Sequence, residues 1–187
     1  MDDIDFKLTM YEKTMKTDQF YEQFNNYDEV QSHCRNCFNY EKNFTCSPVD
    51  IDIKKYITSY EYVDIIVSKL DFKPEVYEKT YSRDELNSII NNTFMKQKDK
   101  IKEQLRSDEA NHTRAVSITG PCDYCGIHCR EKYDICPHPE KLRYSLASLG
   151  IESSKILKDL FDIDLILIEK GKLPRYMNNV SAILYTD

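Results

Sequence analysis

The seven cysteines of this 187-residue chain constrain its fold and chemistry more than any other feature. Cys34, Cys37 and Cys46 read C-x2-C-x8-C, and Cys122, Cys125, Cys129 and Cys136 read C-x2-C-x3-C-x6-C. None lies between the groups or outside them. Cysteines used as small core hydrophobes scatter along a chain, so that use does not explain the pattern. A disulfide framework fits poorly too. The count is odd, the chain is not small, and its opening Met1-Asp2-Asp3-Ile4 lacks the basic start and apolar run of an export signal. C-x2-C pairs in a cytoplasmic setting point to a metal or redox site.

Composition narrows the class further. Lys plus Arg number 26 against 32 for Asp plus Glu, a net charge of -6, which argues against a nucleic-acid partner. The longest apolar run, Leu165 to Ile168, is far short of the roughly 18 residues that span a membrane. With Gly 4, a glycine-rich phosphate loop is hardly possible. The expectation is a cytoplasmic protein with no membrane and no nucleic-acid partner.

Periodicity supplies a coarse fold. Phe20, Tyr21, Phe24 and Tyr27 have helical spacing, so residues 1–33 read as an N-terminal helical segment leading into the first cysteines. Residues 34–187 read as one cysteine-rich metal-binding α/β domain. Ser47-Pro48 has the chemistry of a helix start, and Ile53, Tyr56, Ile57 and Tyr60 share a helical face. Tyr62–Leu70 reads as a buried strand. Ser82-x-x-Glu85 is a capping box opening a long amphipathic helix to about Arg106, with Leu86, Ile89, Ile90, Phe94, Ile101 and Leu105 inward. Arg114–Thr119 is the next strand, giving a βαβ unit with parallel pairing. Helices over Glu140–Leu149 and from Ser153 or Ser154 to Phe161 follow, then strands at Ile163–Glu169 and Val180–Tyr185. The expected fold is a single small α/β domain. Its sheet is mixed or mainly parallel, with about four strands, and the cysteine loops gather at one end. Both cysteine groups then end just before a helix N-terminus, which favours thiolates.

Two metal chemistries compete. Zinc needs four thiolates, or three and a histidine, and His33, His128 and His138 stand near the groups. Iron–sulfur is favoured by four cysteines within a short span, by the spread spacing, and by Cys136-Pro137, the pair that closes ferredoxin-type motifs. If Cys122, Cys125, Cys129 and Cys136 close one [4Fe–4S] cluster, then Cys34, Cys37 and Cys46 hold a second with one open iron. Ligation shared between the groups is the alternative, and spacing does not decide between them.

The motifs Cys34-x2-Cys37-x2-Tyr40-x5-Cys46-x-Pro48, Gly120-x-Cys122-x2-Cys125-x3-Cys129-x6-Cys136-x-His138-Pro139 and Arg143-x-Ser145-Leu146-x-Ser148-x-Gly150-Ile151 resemble a family of small predicted metal-binding proteins, DUF2284. The resemblance spans roughly residues 30–187. The family usually has Cys-Pro-Pro where this chain has Cys46-Ser47-Pro48, and an Ala-rich helix at Ser145–Leu149; neither departure touches a cysteine. The resemblance implies cysteine-bound metal, iron–sulfur in the cytoplasm of an anaerobe, and no particular reaction.

Three roles follow. The first is electron transfer to a redox partner protein. The second is redox or sulfur chemistry on an anionic or sulfur-containing small molecule at an open cluster site, with Arg130, Lys132, Lys141 and Arg143 nearby and Tyr40, Arg114 and Tyr124 as possible lining residues. The third is a zinc-binding adaptor without catalysis.

Overall fold

A computed structural model describes residues 4–126, 128–169 and 171–187. Four strands form one sheet: β1 (Phe6–Lys16), β2 (Tyr62–Phe72), β3 (Arg114–Ile118) and β4 (Tyr176–Thr186), in spatial order β1-β2-β4-β3. Every pairing is antiparallel, which corrects the expected mixed or mainly parallel sheet. The β2–helix–β3 unit is present, and β2 and β3 do run in the same direction. β4, however, enters between them and pairs antiparallel with both, giving a split βαβ arrangement. Its near-continuous burial is that of a central strand covered on both faces.

Helices α1 (Thr17–Phe24) and α2 (Tyr27–Cys34) follow the aromatic spacing, with Phe20 and Phe24 fully buried. Ahead of them, part of the segment read as helical is strand: β1 pairs with β2 from Phe6↔Phe72 to Lys16↔Tyr62. Helix α3 (Ile53–Thr58) starts later than Ser47-Pro48 suggests. Its N-cap is Asp52, whose carboxylate accepts the Lys55 N–H at 3.0 Å. α1, α3 and the later helix α7 (Ser153–Phe161) cover one sheet face, burying Ile57, Val63, Ile65, Ile118, Ile156, Ala182 and Leu184.

The opposite face is covered by the helix that follows the short α4 (Pro74–Tyr77). It comes in two parts, α5 (Arg83–Ile90) and α6 (Lys96–Asp108), joined by a π-helical turn at Asn91–Met95. The Ser82–Glu85 capping box is formed. Leu86 and Ile89 pack on Phe72 and Met177, and Leu105 packs on Ile183 and Tyr185.

Two other expected elements are absent among the described residues. Glu140–Leu149 is not an α-helix but two 3-10 turns, Pro139–Lys141 and Ala147–Leu149. Ser145 and Ser148 bond each other's backbone N–H at 3.2 and 3.0 Å, offering the chain an alternative to helical bonding. Ile163–Glu169 is not a sheet strand. Ile163 is buried beside Val67 and Leu157, while Leu165 and Leu167 stand out at 53% and 74% exposure. β4 is paired with β2 along one side and with β3 over residues 182–186 on the other, and this segment makes no ladder along the stretch that β3 leaves open.

Candidate metal centre

β3 ends early. It pairs with β4 only over residues 182–186, and β4 runs on to Tyr176 without a second strand neighbour. A cavity of about 380 Å³ opens in that gap, at the carboxyl end of β3. Cys34, Cys37, Cys46 and Tyr40 line one side of it, and Asn178, Asn179 and Val180 of β4 line another. Thr119, Gly120 and Pro121, where the chain leaves β3 for the second cysteine group, close it further. The cysteine loops thus do meet at one end of the sheet.

Each cysteine has a defined seat. Cys34 is the last residue of α2, and its thiol donates to the Ala147 carbonyl at 3.9 Å. The chain then turns, with the Cys37 N–H on the Cys34 carbonyl (2.9 Å) and the Tyr40 N–H on the Cys37 carbonyl (3.0 Å). Cys46 is buried. In the second group Cys129 is buried, while Cys122, Cys125 and Cys136 are half-buried and lie outside the cavity. The expected helix N-termini after the groups are not there: α3 starts seven residues beyond Cys46, and the first element after Cys136 is the 3-10 turn Pro139–Lys141. Backbone loops and polar side chains position the thiols instead.

The two cysteine segments are stitched together by residues that the sequence reading passed over. The Asn43 amide donates to Cys46 Sγ at 3.8 Å, and its Oδ1 accepts the Cys129 N–H at 3.3 Å. Thr45 Oγ1 accepts the Cys122 N–H at 3.0 Å. The Arg130 N–H reaches the Lys42 carbonyl at 3.0 Å. Asn43 and Thr45 are 2% and 1% exposed, so both are internal polar fasteners. No periodic pattern marks them. Their only signal in the sequence is position, inside the Cys37–Cys46 interval.

Electrostatics tie the groups together as well. Burial pushes the Cys46 thiol up to about 11, against a lowering by the Asn43 amide, and Cys37, Cys34 and Cys129 push it the same way as burial. Desolvation raises Cys125, with Cys136, Cys129 and Cys122 adding to it. Cys129 therefore neighbours thiols of both groups. Among the described residues, no three His, Cys, Asp or Glu side chains converge closely enough to hold a single ion. The first group's thiols are instead arranged around a cavity wall.

Of the cations singled out in the sequence, Lys132 stands by the second cysteine group, its ammonium beside Gly126 and acting to lower the Cys125 thiol, and the others face elsewhere. Arg130 lies over Phe44 and donates to the Pro48 carbonyl. Arg114 donates to the Ser59 carbonyl, and Lys141 lies over Tyr124. Arg143 makes a two-pronged ion pair with Glu109 at 2.8 and 2.5 Å, both side chains 14% exposed. Of the histidines, His33 is solvated and His138 is half-exposed. His128 is tucked against Phe38, and its Nε2 is buried without a hydrogen-bond partner.

The cation that does line the cavity is Lys98. It sits on α6 in the stripe Phe94, Lys98, Ile101, Leu105, whose spacing is that of a buried helical seam. A lysine in such a seam is the signal that could have singled it out. Ser145, Leu146 and Ser148 also line the cavity, so the Arg143–Ile151 motif forms its floor.

The family's sequence profile, described as predicted metal-binding protein (DUF2284), matches residues 21–185. The chain belongs to this family. Neither curated proteins nor solved structures give a match. The DUF2284 chain has, among the described residues, no helix long and apolar enough to cross a membrane.

Proposed function

We propose that this DUF2284 protein binds iron–sulfur, with Cys34, Cys37 and Cys46 as ligands of a [4Fe–4S] cluster and Cys122, Cys125, Cys129 and Cys136 as ligands of a second. The observation that carries the reading is the placement of three thiols, and only three, on the wall of one cavity. A cubane cluster has four irons, so Cys34, Cys37 and Cys46 would hold three of them and leave the fourth available to a ligand other than a protein thiolate. A single zinc ion draws its sulfurs to about 2.3 Å from one centre. Thiols spread around a wall suit a polynuclear cluster better, because each then binds its own iron. Such a group supplies one-electron chemistry. The chain supplies the cavity, the Asn43 hydrogen bond to Cys46 Sγ that tunes a cluster's potential, and a second thiol set joined to the first through Asn43. The role is electron transfer with a partner protein, or redox or sulfur chemistry on a small molecule held in the cavity, in the cytoplasm.

Zinc is the second reading, favoured by one observation. His128 Nε2 is a buried nitrogen donor without a partner, one residue from Cys129. The test is low-temperature electron paramagnetic resonance of protein purified without oxygen and reduced with dithionite. The proposal expects a cluster signal that Cys34→Ser and Cys46→Ser each alter. A protein silent in both redox states, with zinc bound, overturns it.

A further inference from the structure

We infer that the cavity seats a small organic acid with a short apolar body, its carboxylate bound by the Lys98 ammonium and by the Ser47 and Thr119 hydroxyls. The inference rests on the reading of the three-thiol wall as a metal face and names what that face is offered. Lys98 has no hydrogen bond or ion pair among the described residues; its neighbour Asp99 is taken by Lys102 at 2.8 Å. The Lys98 ammonium lies against Gly120, 3.4 Å from where a Cβ would stand, beside the turn that leads into Cys122. Desolvation, and then Lys102, holds it below the ordinary lysine range. Lys98 is half-buried, Asp99 offsets the shift only in part, and a partly desolvated cation without an ion-pair partner is stabilised by an anion seated beside it.

The second observation is independent of charge. Ser47 Oγ, Thr119 Oγ1 and Asn178 Oδ1 are all buried without a partner, and all three residues line this cavity. Ser47 and Thr119 are 2% and 3% exposed. Buried hydroxyls in proteins are bonded as a rule, so two orphan hydroxyls from separate segments at one cavity mark a ligand's polar end, while Asn178 Oδ1, an acceptor, is left for a donor and not for the carboxylate. The remaining wall is largely apolar, with Phe94, Leu146 and Leu157. One free cation matches one negative charge, and about 380 Å³ is at the small end of ligand sites.

The test is calorimetric titration of anaerobically prepared wild-type protein and Lys98→Met with hexanoate, hexanamide and inorganic phosphate. Iron and sulfide are assayed in the same samples. Hexanoate is expected to bind the wild type, hexanamide and phosphate at least about tenfold more weakly, and K98M to lose about tenfold or more, equivalent to about 1.4 kcal/mol. K98M keeps its metal and melts no lower than wild type, since Met suits the apolar seam. Equal binding of hexanoate and hexanamide, preference for phosphate, unchanged binding by K98M, or a lowered melting temperature in K98M overturns the inference. Full metal without hexanoate binding overturns it alone. Hexanoate binding by a wild-type sample that never takes up metal overturns the metal reading and leaves the acid seat standing.

Discussion

Asn43→Ala tests whether the two cysteine groups form one unit. Asn43 is 2% exposed and touches both: its amide donates to Cys46 Sγ, and its carbonyl oxygen accepts the Cys129 N–H at 3.3 Å. Truncation leaves that backbone donor unpaired inside the protein, since Cys129 is itself only 8% exposed. An orphaned buried donor costs about 1–3 kcal/mol, so we expect a loss near 2 kcal/mol. In a domain of this size each kcal/mol lowers the melting temperature by about 2–4 °C, which puts the drop at about 4–8 °C. The assay is thermal unfolding of reduced, metal-free protein followed by circular dichroism, with metal uptake measured in parallel. Asn43→Asp separates the two contacts. It keeps an oxygen for the Cys129 N–H and so regains part of the stability. It also replaces the donor beside Cys46 with a carboxylate, which disfavours the thiolate, so its metal uptake falls below that of wild type. An Asn43→Ala protein that melts with the wild type and loads metal equally well refutes the reasoning.

Two further predictions concern the scaffold around the cavity. Glu109→Gln breaks the buried pair with Arg143 and leaves a guanidinium uncompensated, for a loss of about 3 kcal/mol in urea unfolding. Burial alone would raise the Glu109 carboxyl, but hydrogen bonds from Arg143 and Ser117 outweigh it and hold it below its ordinary value. Its contribution is therefore complete above the unfolded carboxyl range near 4.5 and is lost as pH falls through the lower folded value; Glu109→Gln flattens that acid limb, and an unchanged limb contradicts the assignment. Gly150→Ala meets two penalties. Its φ is +69°, and a Cβ would stand 3.0 Å from the Tyr27 Cα, which is backbone and cannot turn aside. We expect a loss of about 2–4 kcal/mol, larger than for Gly171→Ala, whose nearest contact is a Thr80 side-chain carbon at 3.4 Å. Equal losses at the two glycines refute the close-packing argument.

What the sequence revealed, and what it hid, follows from the range of each interaction. The Ser82–Glu85 capping box, the inward stripe of α5 and α6, and strands β2 and β3 are local patterns, and all were legible. Strand adjacency is not local. β2 and β3 looked like parallel neighbours because no nearby residue reveals that β4, from the far end of the chain, lies between them. β1 escaped notice because it is an edge strand: Leu8 and Met10, which set its alternation, are 40% and 48% exposed. Ile163–Glu169 misled in the opposite way: its β-favouring residues make no ladder with the sheet, and the segment is held by Ile163 packed on Val67 and Leu157. The cysteines were evident from spacing. Asn43 and Thr45 acquire meaning only when they meet Cys129 and Cys122, whereas Lys98 carries a local signal in the apolar seam of α6.

The central claim is that the three thiols on the cavity wall bind iron and sulfide. Its most direct test is iron, zinc and acid-labile sulfide per chain, on protein purified without oxygen, compared with Cys46→Ser. The account predicts about eight iron and eight sulfide in the wild type, four of each per cubane, falling to about four in the variant as one cluster is lost and the other kept. One or two zinc per chain with no sulfide contradicts it.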